Sequence, residues 1–123
     1  MKPGKTGLVR VLHAARYSWQ GLLSTFKNEA AFRQELYLAL ILIPGAIWLG
    51  NNGLEIAVLI ASVLLVLIVE LINTGIEAIV DRFGDEWNKL SGIAKDTGSA
   101  AVMIAMILVA VVWGLIIWEN LFK

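Results

Sequence analysis

Three carboxyls and a carboxamide share one stripe of a stretch that is otherwise apolar. Glu70, Asn73, Glu77 and Asp81 follow one another at spacings of three, four and four residues. At ~3.6 residues per turn they fall on one helix face. Their neighbours Leu71, Ile72, Ile76, Ala78, Ile79 and Val80 are apolar, and the preceding run from Leu54 to Val69 is apolar apart from Glu55 and Ser62. A carboxylate at the centre of a membrane helix costs about 2.5–3.5 kcal/mol even on the mild insertion scale, so such a residue marks function by default. A seam of interhelical hydrogen bonds is the plainer reading, but three carboxyls exceed what a seam needs.

The chemistry open to these residues is that of phosphate and protons. Magnesium takes hard oxygen ligands, usually one or two carboxylates plus phosphate. Glu77 with Glu29 is the candidate pair. Lys95, at the start of a later apolar run, offers positive charge beside free backbone N–H groups. Glu70 lies deeper in apolar surroundings and could accept a proton from a lipid hydroxyl. Glu29, Arg33, Gln34 and Glu35, the Glu70–Asp81 stripe, and Lys95, Asp96 and Ser99 all gather at one boundary of the apolar runs. A site there can take a water-soluble reactant from below and a lipid-borne one from the side.

Four helices must position them. From Leu8 to Phe26, apolar residues recur at Leu8, Leu12, Ala15, Trp19, Leu22, Leu23 and Phe26, against Arg10, His13, Tyr17, Gln20 and Ser24 on the other side. That pattern predicts a helix over about residues 7–28, lying in the membrane interface rather than crossing it. A first span is expected over 30–50, with Pro44 tolerated inside it. Gly50–Gly53 is a turn, and a second span over 54–82 is longer than the ~30 Å hydrocarbon layer needs. A polar loop is expected over 83–95. Asp96 or Thr97 is expected to cap a third span over 97–119, with Trp113 and Trp118 at the far interface.

Composition sets the class. The chain has 123 residues, 59% of them hydrophobic, no cysteine and no net charge, with a mean hydropathy of +0.77. One all-α membrane domain follows, and the zero net charge argues against a nucleic-acid partner. No cleaved signal peptide is expected after the basic start Met1–Thr6. Nine Lys and Arg residues (Lys2, Lys5, Arg10, Arg16, Lys27, Arg33, Arg82, Lys89, Lys95) fall on one side, and only Lys123 on the other. The positive-inside rule then puts the N-terminus and the loop in the cytoplasm and the C-terminus in the periplasm. Neither a Walker nor a protein-kinase signature is present.

Three segments carry a family resemblance. Asn28-Glu29-Ala30-Ala31-Phe32-Arg33-Gln34-Glu35, then Glu70-x-x-Asn73-x-x-Ile76-Glu77-Ala78-x-Val80-Asp81-Arg82, then Leu90-Ser91-Gly92-x-Ala94-Lys95-Asp96-x-Gly98-Ser99-Ala100-Ala101 resemble the bacterial integral-membrane diacylglycerol kinases across essentially the whole chain. The resemblance implies a homotrimeric bundle in the inner membrane, with active sites shared between subunits. It implies transfer of the ATP γ-phosphoryl group, with Mg2+, to diacylglycerol, giving phosphatidic acid. By position it makes Glu70 the catalytic base and Glu29 and Glu77 the metal ligands. Asn73 and Asp81 support them. Arg10, Tyr17, Glu29, Glu77, Glu86, Trp87, Asn88, Lys95 and Asp96 match nucleotide-contacting positions. The lipid-contacting positions are Arg10, then Ala14, Ala15, Arg16, Tyr17, Ser18 and Trp19, then Leu23, Ser24, Thr25 and Phe26. They continue with Ala31, Phe32, Arg33, Gln34 and Glu35, with Trp48, Leu49, Gly50 and Asn51, and with Glu70, Ser99, Trp113 and Trp118.

The chain departs from the family pattern in places. Trp87-Asn88 stand where a Tyr-His pair is expected, Ile56 and Ile93 where arginine is expected, and Gly75 where an alanine is expected. Undecaprenol is the alternative lipid acceptor within the same superfamily. A small proton-coupled transporter and a non-catalytic scaffold are the readings from other classes. A transporter should hold its essential carboxylate near the bilayer midplane, without a polar cluster at one boundary.

Overall fold

The computed structural model describes residues 6–122 and is all-helical over that range. Lys2, Lys5 and Lys123, used above for orientation, lie outside the described residues. Four helices follow in order: α1 (Gly7–Asn28), α2 (Ala30–Leu49), α3 (Gly53–Asp81) and α4 (Lys89–Phe122). The last three are long and apolar enough to cross a membrane. α3 packs against both α2 and α4, and α1 touches α2 and α3.

Glu29 alone separates α1 from α2. Its backbone is extended (φ −119°, ψ 108°), while its N–H still donates to Thr25 O at 2.8 Å and its carbonyl accepts from Arg33 N at 3.2 Å. Arg33 locks the corner from the other side. Its Nη1 donates to Phe26 O at 2.7 Å and Lys27 O at 3.0 Å, a cation on the exposed carbonyls of a helix end.

At the opposite end, the α2–α3 turn is short because both helices are capped tightly. Asn52 Oδ1 accepts from Glu55 N at 3.0 Å, and Glu55 Oε1 accepts from Asn51 N at 3.0 Å. This is the reciprocal logic of a capping box, reaching one residue further back. Asn120 then ties α4 to the turn. Its Nδ2 donates to Leu49 O at 2.9 Å and to Glu55 Oε1 at 2.8 Å.

α2 runs unbroken through Pro44. The polar loop expected over 83–95 is shorter in the structure, because α4 starts at Lys89. Asn88 is the reason: its Oδ1 accepts from Leu90 N at 2.9 Å and Ser91 N at 3.1 Å. That side chain caps the helix, so neither Asp96 nor Thr97 does, and both lie inside α4.

The core is thin and built from small side chains. Ala39, Ala46, Leu49, Val63, Val66 and Ala105 are buried, with Phe32 and Leu59 the largest fully enclosed residues. Most other large apolar side chains on α2–α4 face outward, as they can in hydrocarbon.

Candidate active site

The end of the bundle where the α1–α2 corner, the last turns of α3 and the first turns of α4 meet is polar. A groove of about 250 Å³ lies there between α1 and α3. Ser24, Thr25, Asn28 and Glu29 line it from the corner, and Thr74, Glu77, Ala78 and Asp81 from α3. Glu29 and Glu77, paired from sequence as metal ligands, therefore face the same space. The Glu29 side chain makes no capping bond to α2.

Glu77 is held in place. Asn73 Nδ2 donates to its Oε1 at 3.0 Å across one turn of α3. At the rim, Lys95 Nζ of α4 pairs with Asp81 Oδ1 of α3 at 2.7 Å, both side chains about half exposed. The pair brings an ammonium group within electrostatic reach of Glu77. Glu70 lies two turns deeper on α3, only 6% exposed, and still feels the charges of Glu77 and Glu29.

The structure adds a contact that sequence reasoning missed. The carboxyl of Glu35 on α2 meets that of Glu70 across the helix interface. The sequence groups Glu35 with the polar residues at the boundary of the apolar runs. Its burial follows from Phe32, Glu35 and Ala39 lying on the inward face of α2, a spacing of three and four legible in principle. Glu35 also closes one wall of an apolar cavity of about 200 Å³ among α2, α3 and α4. Buried polar atoms without a partner gather at this end: Glu35 Oε2, Asn73 Oδ1 and Thr74 Oγ1. Each such atom costs about 1–3 kcal/mol.

The donor set suits a hard cation only in company. Among the described residues no group of three or more acidic or histidine side chains could hold a metal. Two carboxylates on one groove leave the remaining positions to phosphate oxygens and water, which is how magnesium is usually held.

The other sequence-assigned positions fall into separate places. Glu86, Trp87 and Asn88 line a second cavity of about 540 Å³ with Phe83, Gly84 and Ser91, beyond the end of α3. Trp87 is almost wholly exposed, and Asn88 spends its Oδ1 on capping α4. Asp96 and Ser99 are exposed on the first turns of α4. On α1, the stretch from Ala14 to Trp19 and the stretch from Leu23 to Phe26 run along the exposed helix into the corner, with only Thr25 buried. The Tyr17 ring lies against that of His13 at 6.2 Å, one turn from Arg10. Ala31 and Gln34 are exposed on α2, whereas Phe32 is buried and Arg33 is engaged at the corner. Trp48, Leu49, Gly50 and Asn51, with Trp113 and Trp118, sit at the opposite end of the bundle from Glu77. Within one chain they do not join the polar groove.

A sequence model described as prokaryotic diacylglycerol kinase matches residues 16–117. The chain belongs to the prokaryotic diacylglycerol kinase family. It is 48% identical over 120 residues to a diacylglycerol kinase of Escherichia coli K12, covering 98% of each chain. The diacylglycerol kinase of Haemophilus influenzae is 53% identical over 109 residues, 89% of this chain and 92% of that one. That of Pseudomonas aeruginosa is 49% identical over 114 residues, 93% of each. The chain is thus a lipid kinase and a bacterial membrane protein.

Proposed function

We propose that the chain transfers the γ-phosphoryl group of ATP to the free hydroxyl of diacylglycerol, giving phosphatidic acid and ADP. The observation that carries this is the stacking of groups along α3: Glu29 and Glu77 on one groove, Lys95 at its rim, and a buried carboxyl, Glu70, two turns further in. Phosphoryl transfer needs positioning and charge neutralisation more than covalent chemistry.

Glu70 accepts the proton of the lipid hydroxyl as its oxygen attacks the γ-phosphorus. Its burial within the spans, 6% exposed, suits contact with a substrate that arrives through the bilayer. Glu29 and Glu77 would hold Mg2+, which would supply neutralisation of phosphate charge when bound with the nucleotide. Lys95 donates to phosphate oxygens, with Asp81 steadying its ammonium group. Arg10, Tyr17, Glu86, Trp87, Asn88 and Asp96 complete the nucleotide side. The remaining lipid-contacting positions at the far end of the spans, Trp48–Asn51, Trp113 and Trp118, lie far from Glu70 in this chain. They suit acyl tails that extend across a leaflet, or a site completed by a neighbouring subunit in a homotrimer.

The protein sits in the bacterial inner membrane. Among the described residues, every Lys and Arg lies in α1, in the first turn of α2, or between the end of α3 and the early turns of α4. That bias supports a cytoplasmic groove and a periplasmic Asn120 end. α1 lies along the cytoplasmic interface, its exposed Leu8, Leu12 and Trp19 in the acyl boundary.

The test is turnover by the purified protein in lipid micelles with ATP, with and without Mg2+, offering dioleoylglycerol and undecaprenol separately. Phosphatidic acid formed only with Mg2+ supports the reading. Turnover of undecaprenol alone moves the acceptor within the superfamily. Absence of both products, in protein shown to be folded, overturns it.

A further inference from the structure

We infer that Gly98 is a positioning residue for Glu77, acting through Asn73: the missing side chain on α4 is the space in which the Asn73 carboxamide oxygen sits. The inference rests on the reading of Glu77 as a metal ligand given above.

Gly98 is one of only two buried residues on α4, the other being Ala105. A Cβ built on Gly98 would overlap Asn73 Oδ1, lie 3.1 Å from its Cγ and stand 3.9 Å from its Cβ. The Asn73 amide has no second orientation there. Its Nδ2 must face the Glu77 carboxylate to donate, because turning the oxygen that way would set two acceptors against each other. Oδ1 is therefore the atom directed at α4, where it is buried and without a hydrogen-bond partner. A hydrogen bond between residues four apart on one helix is weak by itself. Here the approach of α4 at Gly98 confines Asn73, which is only 8% exposed, so that its amino group stays on Glu77.

A methyl group at position 98 forces one of two responses. Either Asn73 leaves its rotamer, of which few others are open on a helix, or α4 backs away from α3. Both break the hold on Glu77. Glycines elsewhere on these helices do not share this role, since Cβ atoms at Gly75, Gly92 and Gly114 would meet nothing within 4 Å.

The experiment measures Mn2+ binding to the full-length protein in micelles with a non-hydrolysable ATP analogue, by electron paramagnetic resonance. Groups that orient a metal ligand typically contribute tenfold or more to affinity. Gly98→Ala and Asn73→Ala should each weaken Mn2+ binding by about tenfold or more, while Gly75→Ala leaves it unchanged. The double variant Gly98→Ala/Asn73→Ala should bind no more weakly than Asn73→Ala alone, because the methyl group then has nothing to displace. KM for the lipid acceptor should stay constant throughout. Wild-type affinity in Gly98→Ala, or losses that multiply in the double variant, would overturn the inference.

Glu77→Gln separates the two readings. Unchanged Mn2+ affinity in that variant removes Glu77 from the metal site and leaves the coupling to a second readout, the side-chain amide resonance of Asn73. A shift of that resonance in Gly98→Ala supports the contact, and an unmoved resonance refutes it.

Discussion

The clasp at the far end of the bundle makes a quantitative prediction about stability. Asn120→Ala removes two hydrogen bonds, one to Leu49 O and one to the Glu55 carboxylate. A bond to a neutral carbonyl contributes about 1 kcal/mol and one to a charged group about 1.5–3 kcal/mol, a gross loss of about 2.5–4 kcal/mol. The same substitution also deletes Asn120 Oδ1, a buried acceptor with no partner, and so recovers about 1–3 kcal/mol. Taking mid-range values, about 3 less about 2, the net loss expected is about 1 kcal/mol. Asn120→Asp keeps the volume but removes both donors and sets a second carboxylate beside Glu55. Two such charges side by side repel, whereas Ala adds no charge. Asp must therefore destabilise more than Ala. Glu55→Gln retains an acceptor oxygen for both Asn120 and Asn51 and should be the mildest of the three. Reversible unfolding in mixed micelles of dodecyl sulfate and decylmaltoside, followed by circular dichroism, gives the order. Asn120→Ala at or above wild-type stability, or Asn120→Asp no worse than Asn120→Ala, would show that the Asn120 bonds do not hold α4 to the turn.

Other consequences follow from the polar end and the turns. Asp81→Asn should change the unfolding free energy by less than about 1 kcal/mol, because both partners of the Lys95 pair are exposed. Lys95→Met should raise KM for ATP about tenfold to a hundredfold, the equivalent of one charge-assisted bond to phosphate, and steady-state kinetics on both variants check this. Arg33→Ala should cost about 1–2 kcal/mol by opening the α1–α2 corner, and limited proteolysis should then cut near residue 29 faster than in wild type. Gly50→Ala should cost about 1–3 kcal/mol with nucleotide affinity intact. Its Cβ would stand 2.5 Å from Ile56 Cγ1 and 3.1 Å from Ile56 N, so backbone must move; the same unfolding assay measures it.

The parts of the molecule that depend on one helix at a time were legible in the sequence. Hydropathy marked the three long apolar helices, and the spacing of Glu70, Asn73, Glu77 and Asp81 placed them on one stripe. Glu29 and Glu77 were paired because each stands near a helix end at the same boundary, and the groove does hold both. The start of α4 was misjudged for a local reason. The polar run 83–95 reads as loop by composition, yet Asn88 two residues before Leu90 is a capping signal, and the polar first turns of α4 follow from it. What depends on how one helix is rotated against another stayed hidden. Neither the Glu35–Glu70 contact nor the fit of Asn73 against Gly98 has a signature in spacing alone. The spacing of Phe32, Glu35 and Ala39 marks an inward face of α2, but its partner on α3, like the fit at Gly98, depends on how the helices are rotated against each other.

Proton transfer from the lipid hydroxyl to Glu70 is the step on which the proposed reaction turns. It is tested most directly by the single-turnover rate of Glu70→Gln, measured with saturating Mg-ATP and dioleoylglycerol in micelles. Gln keeps the shape but cannot accept the proton, so the rate should fall by about 10²–10⁴-fold, the usual contribution of a general base, with Mn2+ and nucleotide affinity preserved. A Glu70→Gln protein that forms phosphatidic acid at close to the wild-type rate would remove Glu70 as the base.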